Sequence, residues 1–321
     1  MKQGFAVFAV AGLLVLSACS RSNEFKKDQE VYQEPQSYYN KATQGKSPTQ
    51  RLESMGQPKK RVFVFDFWND TPVKQKEAGP FAADELRRGL FATQRLILPT
   101  DLRSAFGTED FVQGDRVKVA QLIREGRRMG VAVLVIGRVT KIIFRQRGDD
   151  IGVIRQKQSF AAVDVEVKMF DVAAGREIMA FGKSGETSSN SLQAFGGSKD
   201  DNQEFRVEMT KLALRNAIVL AVPEVIKGVE KMNWSGRVAK VASNKVYVNA
   251  GKASGLVLGD ILKVLSQGDD IYDPATGAYL GRTQGQLKGT LEVVDFIGTD
   301  GAVTEMHTGG NFQEGDTVQL Y

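Results

Sequence analysis

The sequence predicts a mixed α/β (α+β) domain followed by a small all-β sandwich or barrel. Three observations carry that expectation. RVFVFDF and VAVLVIG are apolar at successive positions, as strands buried on both faces are, and segments of helical period lie between them. SFAAVDVEVKMFDV alternates apolar and charged residues, the mark of a strand with one wet face. Beyond Asn233 the helical periods stop, glycines crowd in, and turn residues recur every 8–12 residues or so.

The elements follow in order. Val62, Val64 and the aromatics Phe63, Phe65 and Phe67 make a first strand, expected at the centre of the sheet and ended by Asn69-Asp70-Thr71-Pro72. GPFAADELRRGLFATQ is a helix with Phe81, Leu86, Leu90 and Phe91 roughly in phase and Pro80 in its first turn. RLILP reads as a second short strand. Asp115 is placed to cap the next helix, where Val119, Leu122 and Ile123 share a face and Gly130 is the stop. Val131 to Phe144 is a third strand, with Gly137 marking a bend. RQRGDDIGVIRQKQ reads as a polar connection. Val163, Val165, Val167 and Met169 then oppose Asp164, Glu166 and Lys168, and the chain turns at Ala174-Gly175 into a partner strand. Residues 186–203 read as a loop, and a long amphipathic helix carries Phe205, Met209, Leu212, Ile218 and Val222, with a kink at Pro223. The order is β-α-β-α-β-β-β-α over residues 60–231. Over 232–321 hairpins are expected at Ser243-Asn244 and at Asp273-Pro274-Ala275-Thr276-Gly277, a turn at Gly259-Asp260, another hairpin in KGTLEVVDFIGTDGAVTEM, and a closing strand in EGDTVQLY.

The N-terminus carries an address. Lys2 precedes about a dozen apolar residues from Phe5 to Leu16, too few for a bilayer core that takes about 20. Leu16-Ser17-Ala18-Cys19 resembles the bacterial lipobox, with Cys19 the only cysteine of the chain. The resemblance implies cleavage after residue 18 and a lipid-modified Cys19 carrying diacylglycerol and an N-acyl chain, enough hydrocarbon for stable anchoring. Ser20 follows, where aspartate would be the usual inner-membrane retention signal. The expectation is therefore an outer-membrane anchor with the body facing the periplasm. Residues 19–59 are polar with no persistent period and read as a flexible tether spanning roughly 35 Å as a coil.

Composition bounds the chemistry. The net charge of +5 is mild for 321 residues. The clusters Arg87-Arg88 and Arg124/Arg127/Arg128 lie on expected helices and read as solvated faces. His307 is the only histidine, so no histidine metal site and no Ser-His-Asp triad is expected. Gly182-Lys183-Ser184 fails as a phosphate loop because Glu177 stands where its first glycine belongs. QGDDIYDPATG lacks the spacing of a calcium loop and reads as a turn. Asp66 follows an apolar strand, a place where functional groups occur, but reads more simply as a cap of local backbone. Trp68 and Trp234 read as packing residues. Phe67, Trp68 and Phe81 form a candidate inter-subunit patch. No cofactor, metal or catalytic residue is expected, and the chain is read as not an enzyme.

RVFVFDFWNDT, FAADELRRGLFATQRL, the strand from Val131 to Val139 and FDVAAGREI resemble the α/β domain of CsgG-type curli-secretion lipoproteins and the related TolB N-terminal-like module. Gly251, Gly255, Gly259-Asp260, Asp273-Pro274, Thr276-Gly277 and Gly281 resemble the recurring parts of the C-terminal domain of the flagellar assembly protein T (FlgT) family. The resemblance implies a non-enzymatic outer-membrane lipoprotein acting as an assembly factor of the envelope, in a flagellar motor ring or a secretion apparatus. Its partners would be the membrane through the lipid and other envelope proteins, with a homo-oligomeric ring as a further implication and no nucleic acid. The alternative is a subunit of a curli-type export pore. That needs two membrane hairpins per subunit, and RQRGDDIGVIRQKQSF carries five charges in its first eleven residues. The second segment, SGETSSNSLQAFGGSKDDNQ, has almost no lipid-facing side chains. A charge on the lipid face costs ~2–4 kcal/mol near the midplane, which favours the assembly factor over the pore.

Overall fold

The computed structural model describes residues 56–73, 75–102, 104–114, 116–149, 155–193 and 203–321. Leu16, Ser17, Ala18, Cys19 and all of the tether before residue 56 lie outside the described residues, as does Asp115. Among the described residues no helix is long and apolar enough to cross a membrane. The tether's last residues are already packed: Pro58 is buried, and the Lys59 N–H donates to Ser254 O at 2.7 Å.

The first sheet is mixed. β1 (Val62–Val64) and β2 (Trp68–Asn69) run parallel to β5 (Val133–Asp149). β5 pairs antiparallel with β6 (Arg155–Asp171), and β6 with β7 (Arg176–Gln193), giving the order β1-β5-β6-β7 with β2 also on β5. The period of two explains the doubly apolar runs. Val62, Val64, Val133 and Val135 enter the core under α1 (Ala78–Thr93) and α3 (Gln203–Glu230). Phe65, Leu134 and Ile136 enter a second core on the opposite face, under α2 (Val119–Met129). The expected face of β6 is buried: Val163, Val165, Val167 and Met169 all belong to the first core. Between β2 and α2 lie two short strands, β3 (Val112–Gln113) and β4 (Arg116–Val117), paired with each other.

Helix ends follow local chemistry. Gly130 takes φ +67 as the C-cap of α2, and Arg127 and Arg128 in the last turn suit the negative end of the helix dipole. Where α3 crosses β7, a Cβ on Gly185 would lie 2.1 Å from Ala213 O, so only glycine admits the helix at this distance. Pro223 sits inside α3, which continues past it to Glu230.

Four expectations are corrected. RLILP contributes a single parallel bridge, Arg61 to Ile97, and no strand, because the chain leaves the edge of β1 after one pairing. The expected strand is interrupted over residues 65–67, leaving β1 before the break and β2 after it, and β1 ends the sheet order where a central strand was expected. The polar segments read as loops are strand in their described parts: β5 and β6 remain paired to Asp149 and Gln156, and β7 pairs with β6 as far as Gln193, while residues 150–154 and 194–202 lie outside the described residues. Backbone groups alone make that ladder, so polar side chains do not prevent it. Finally, Leu212 is 43% exposed, since Met209, Ala213 and Ala217 define the buried stripe of α3.

The C-terminal strands resolve the sandwich-or-barrel alternative as a barrel. β8 (Gly236–Ala242), β9 (Lys245–Val248), β10 (Ile261–Leu265), β13 (Leu287–Ile297), β14 (Gly301–Gly309) and β15 (Thr317–Leu320) close in the order β10-β13-β14-β9-β8-β15. Val238, Leu262, Val264, Leu291, Val293 and Val318 fill it, and Trp234 packs at its base as expected. β11 (Asp270–Tyr272) and β12 (Tyr279–Arg282) form a hairpin outside the barrel. Its turn is the expected one: Asp273 Oδ1 accepts the N–H groups of Thr276 and Ala275 at 2.7 and 2.8 Å. Those donors, that of Thr276 foremost, hold the Asp273 carboxyl below its ordinary value.

Candidate functional site

A large concavity lies beside the unextended edge of β1. One side of β1 is taken by β5; the other receives no further strand, only the Ile97 bridge, where the Val62 N–H donates to Ile97 O at 2.8 Å, and the Arg87 side chain at Val64 O. Beside it opens a cleft of about 690 Å³ between α1 and the connection that follows it. Its apolar walls include Phe63, Phe65, Phe91, Leu98, Leu102 and Phe106. Phe91 is 72% exposed and Phe106 41% exposed, so large rings face water at its mouth.

Arg87 and Arg88 supply the charge of the cleft. Arg87 lies across the strand edge: its Nε and Nη2 donate to Val64 O at 3.2 and 2.7 Å, Nη2 to Asp66 Oδ1 at 2.7 Å, and Nη1 to Asp84 Oδ1 at 2.6 Å. It is therefore fixed against the sheet, where the sequence suggested a solvated face. Asp66 does not cap backbone with its side chain; it anchors this guanidinium, while its carbonyl accepts the Thr108 hydroxyl at 2.6 Å. At the rear of the cleft the Ser104 hydroxyl donates to Glu125 Oε1 at 2.9 Å, and Arg128 donates to both Glu125 oxygens at 2.7 and 2.9 Å. The Arg128 hydrogen bonds hold the Glu125 carboxyl below its ordinary value against the opposing effect of burial.

The structure separates the residues of the candidate patch. Phe67 is 3% exposed and belongs to the core, where a Cβ on Gly137 would meet its ring at 2.3 Å. Phe67 is thus withdrawn from any surface patch, and Gly137 serves ring packing, not only a bend. Trp68 is half-buried on β2. Phe81 is half-buried, with Lys211 Nζ and the Arg215 guanidinium each 5.9 Å from its ring centre. The cleft residue the sequence reading misplaced is Phe91, taken as part of the helix's core face. Leu86 and Leu90 fix that face, and a neighbour one position on points about 100° away, which was signal enough to put Phe91 outside.

The motifs set aside as chemistry fall into plain roles. Lys183 pairs with Glu224 at 3.3 Å in the middle of β7, and Thr290 Oγ1 lies 3.1 Å from His307 Nδ1 on the barrel. Among the described residues no cluster of three or more metal-ligating side chains occurs.

Fold and site together define a mixed α/β unit joined to a closed six-stranded barrel, with a cleft along one sheet edge. No protein-family model matches the chain, and no curated protein matches it. Among solved structures it is similar to the hypothetical protein CT253 from Chlamydia trachomatis, at 15% identity and a TM-score of 0.36, over 53% of this chain and 98% of that one. It is similar to lipoprotein GNA1162 from Neisseria meningitidis at 14% identity and a TM-score of 0.28, over 52% and 98%. It is also similar to the PelC dodecamer from Paraburkholderia phytofirmans at 12% identity and a TM-score of 0.31, over 56% and 92%. Likenesses at such scores define neither a family nor a function for the chain.

Proposed function

We propose that the protein is an outer-membrane lipoprotein, anchored through Cys19 with its body in the periplasm, that works without catalysis as an assembly factor of the envelope. The observation that carries this reading is the apolar cleft beside the open edge of β1, with Arg87 and Arg88 at its side. An extended segment of another envelope protein, with apolar side chains for the phenylalanine walls, is the occupant it suits; Arg87 and Arg88 are already paired with Asp66, Asp84 and Glu85 and ask for no further carboxylate. The lipobox at Leu16–Cys19 supports the anchor, and the resemblance to CsgG-type and flagellar assembly protein T families supports a place in a motor ring or secretion apparatus. A homo-oligomeric ring is part of the same proposal.

Photo-crosslinkers placed at Phe91 and Phe106 in living cells test the cleft, with Leu280 on the β12 hairpin as the exposed control. Crosslinks to an envelope protein from the first two positions and none from the third are expected. Equal labelling at all three, or none at any, would end the reading. Cys19→Ser tests the anchor separately: it should lose palmitate labelling and leave the outer-membrane fraction.

One observation favours the alternative, an export-pore subunit. β5, β6 and β7 are 17, 17 and 18 residues long, beyond the 9–11 or so a membrane strand requires. The sequence of their outer parts still lacks an apolar face. Purified protein giving no ion conductance in planar bilayers is the expected result.

A further inference from the structure

The α/β layers and the barrel meet at a concentration of positive charge. The last turn of α2 brings Arg127, β8 brings Arg237 and β12 brings Arg282, all lining one cavity of about 30 Å³. The facing carboxylate is Asp270 of β11, 3.2 Å from Arg127 Nη2 and 3.0 Å from Arg282 Nε. Arg237 Nη1 donates to Arg127 O, and Arg282 Nη2 to Gly268 O. These carbonyls orient the guanidinium groups but neutralise none of them. Asp269 lies nearby at the exposed rim and acts on Arg282 only from a distance.

Beside the cavity, the pairing of Arg282 with Asp270 is incomplete. Arg282 has 8% of its side chain exposed, and its Nε, although at ion-pair distance from Asp270, makes no hydrogen bond. Asp270 Oδ1 and the neighbouring Tyr279 hydroxyl are buried without hydrogen-bond partners. Burial, and after it the neighbouring Arg127, pushes both the Arg237 and Arg282 guanidinium groups below their ordinary values. Three guanidinium groups against one carboxylate in a confined space is an arrangement that an anion would relieve.

We propose that this cavity binds a small tetrahedral oxyanion of the phosphate or sulfate class, clamped between the α/β layers and the barrel. Guanidinium forks match oxyanion edges in a way a single-atom halide does not exploit. The cavity holds the equivalent of about two or three waters, the number one such ion would displace. The ion would balance the excess charge and tie α2 to the barrel through their arginines. A free inorganic ion and the phosphomonoester of a lipid head group share this chemistry, and the test separates them.

The experiment is thermal unfolding of the full lipidated protein in phosphate-free detergent micelles, titrated with sodium phosphate and with sodium chloride at matched ionic strength. Phosphate should raise Tm by about 3–5 °C at saturation, and chloride should not. Micelles doped with phosphatidic acid form the third arm. A rise there without free phosphate identifies the head group as the source; a rise with phosphate alone identifies the inorganic ion. Arg237→Gln should abolish the shift. Arg237→Lys, which keeps the charge but loses the fork, should weaken phosphate affinity about tenfold while circular dichroism confirms the fold. Equal shifts with chloride and phosphate, or no shift in any arm, would overturn the proposal and leave a water-filled cavity.

Discussion

The two halves of the molecule solve the exposed-edge problem in opposite ways. The barrel closes on itself through β10 and β15, so each of its six strands is paired on both sides. The mixed sheet stops at β1 on one side and β7 on the other, with no further strand added among the described residues. Edges left open and flanked by apolar rings cost solubility, and a protein keeps them where something is to be added. On the reading proposed above, partner binding would belong to the open sheet, and the barrel would be the rigid half. Single substitutions can break that division, the most damaging of them in the sheet.

Gly185→Val should have the largest effect. Its side chain would have to occupy space held by Ala213 O and Ala217 N, 2.1 and 2.3 Å from the first added carbon. Backbone cannot yield as a flexible side chain can, so α3 must leave β7, at a loss of at least about 3 kcal/mol. In urea melts on a Trp68→Phe background, the barrel's Trp234 fluorescence should survive to higher denaturant than the helical signal. Simultaneous loss of both would show that sheet and barrel unfold as one unit.

Inside the barrel, Asp316→Ala should cost nearly as much. Asp316 is buried, accepts Lys288 Nζ at 2.8 and 3.0 Å and the Gln313 N–H at 2.8 Å. Removing it leaves the largely buried Lys288 ammonium without its carboxylate, a loss of about 3 kcal/mol. The urea midpoint reports it, and the Phe91 crosslink should persist under native conditions if binding belongs to the sheet.

How much of this was legible in the sequence depends on the reach of the interactions. The burial of both faces of β1 and β5, the Asp273 turn and the Gly130 stop depend on residues close in the chain and follow the local pattern, whereas the place of β1 at the end of the sheet does not. The barrel strands were legible as hairpins, but closure between β10 and β15 joins segments whose mutual register no local pattern encodes. The long outer parts of β5, β6 and β7 were missed because backbone pairing holds them and side-chain pattern does not. At the site, Arg87 and Phe91 were visible as residues but not as neighbours of Phe106, since the connection after α1 folds back across the edge of β1. The junction of Arg127, Arg237 and Arg282 was invisible for the same reason: each arrives from a different element.

A smaller effect is set by pH. The Glu125 carboxyl titrates lower in the folded protein than in the unfolded chain. Its contribution is therefore complete above its ordinary value of 4.5 and fades as the pH falls through the lower folded value. Glu125→Gln should flatten the acid limb of a Tm-against-pH curve below about pH 4.5 and leave the neutral region nearly parallel to wild type. An unchanged acid limb would mean that the Arg128 and Ser104 bonds do not hold this carboxylate at the rear of the cleft.

The smallest effect on stability is expected where the largest effect on binding is proposed. Phe91 is 72% exposed on α1, so Phe91→Ser removes little buried surface and should change the free energy of unfolding from urea melts by less than about 0.5 kcal/mol. The same substitution takes a ring from the mouth of the β1 cleft and should reduce crosslinking from Phe106 several-fold. Leu280→Ser on the barrel hairpin, 61% exposed, should be as silent in stability and silent in crosslinking too. The pair sets the open edge of β1 against a hairpin outside the barrel at similar exposure. If both substitutions leave crosslinking intact, the ring at the cleft is only an apolar side chain facing water, and the open edge of β1 has no privileged part in binding.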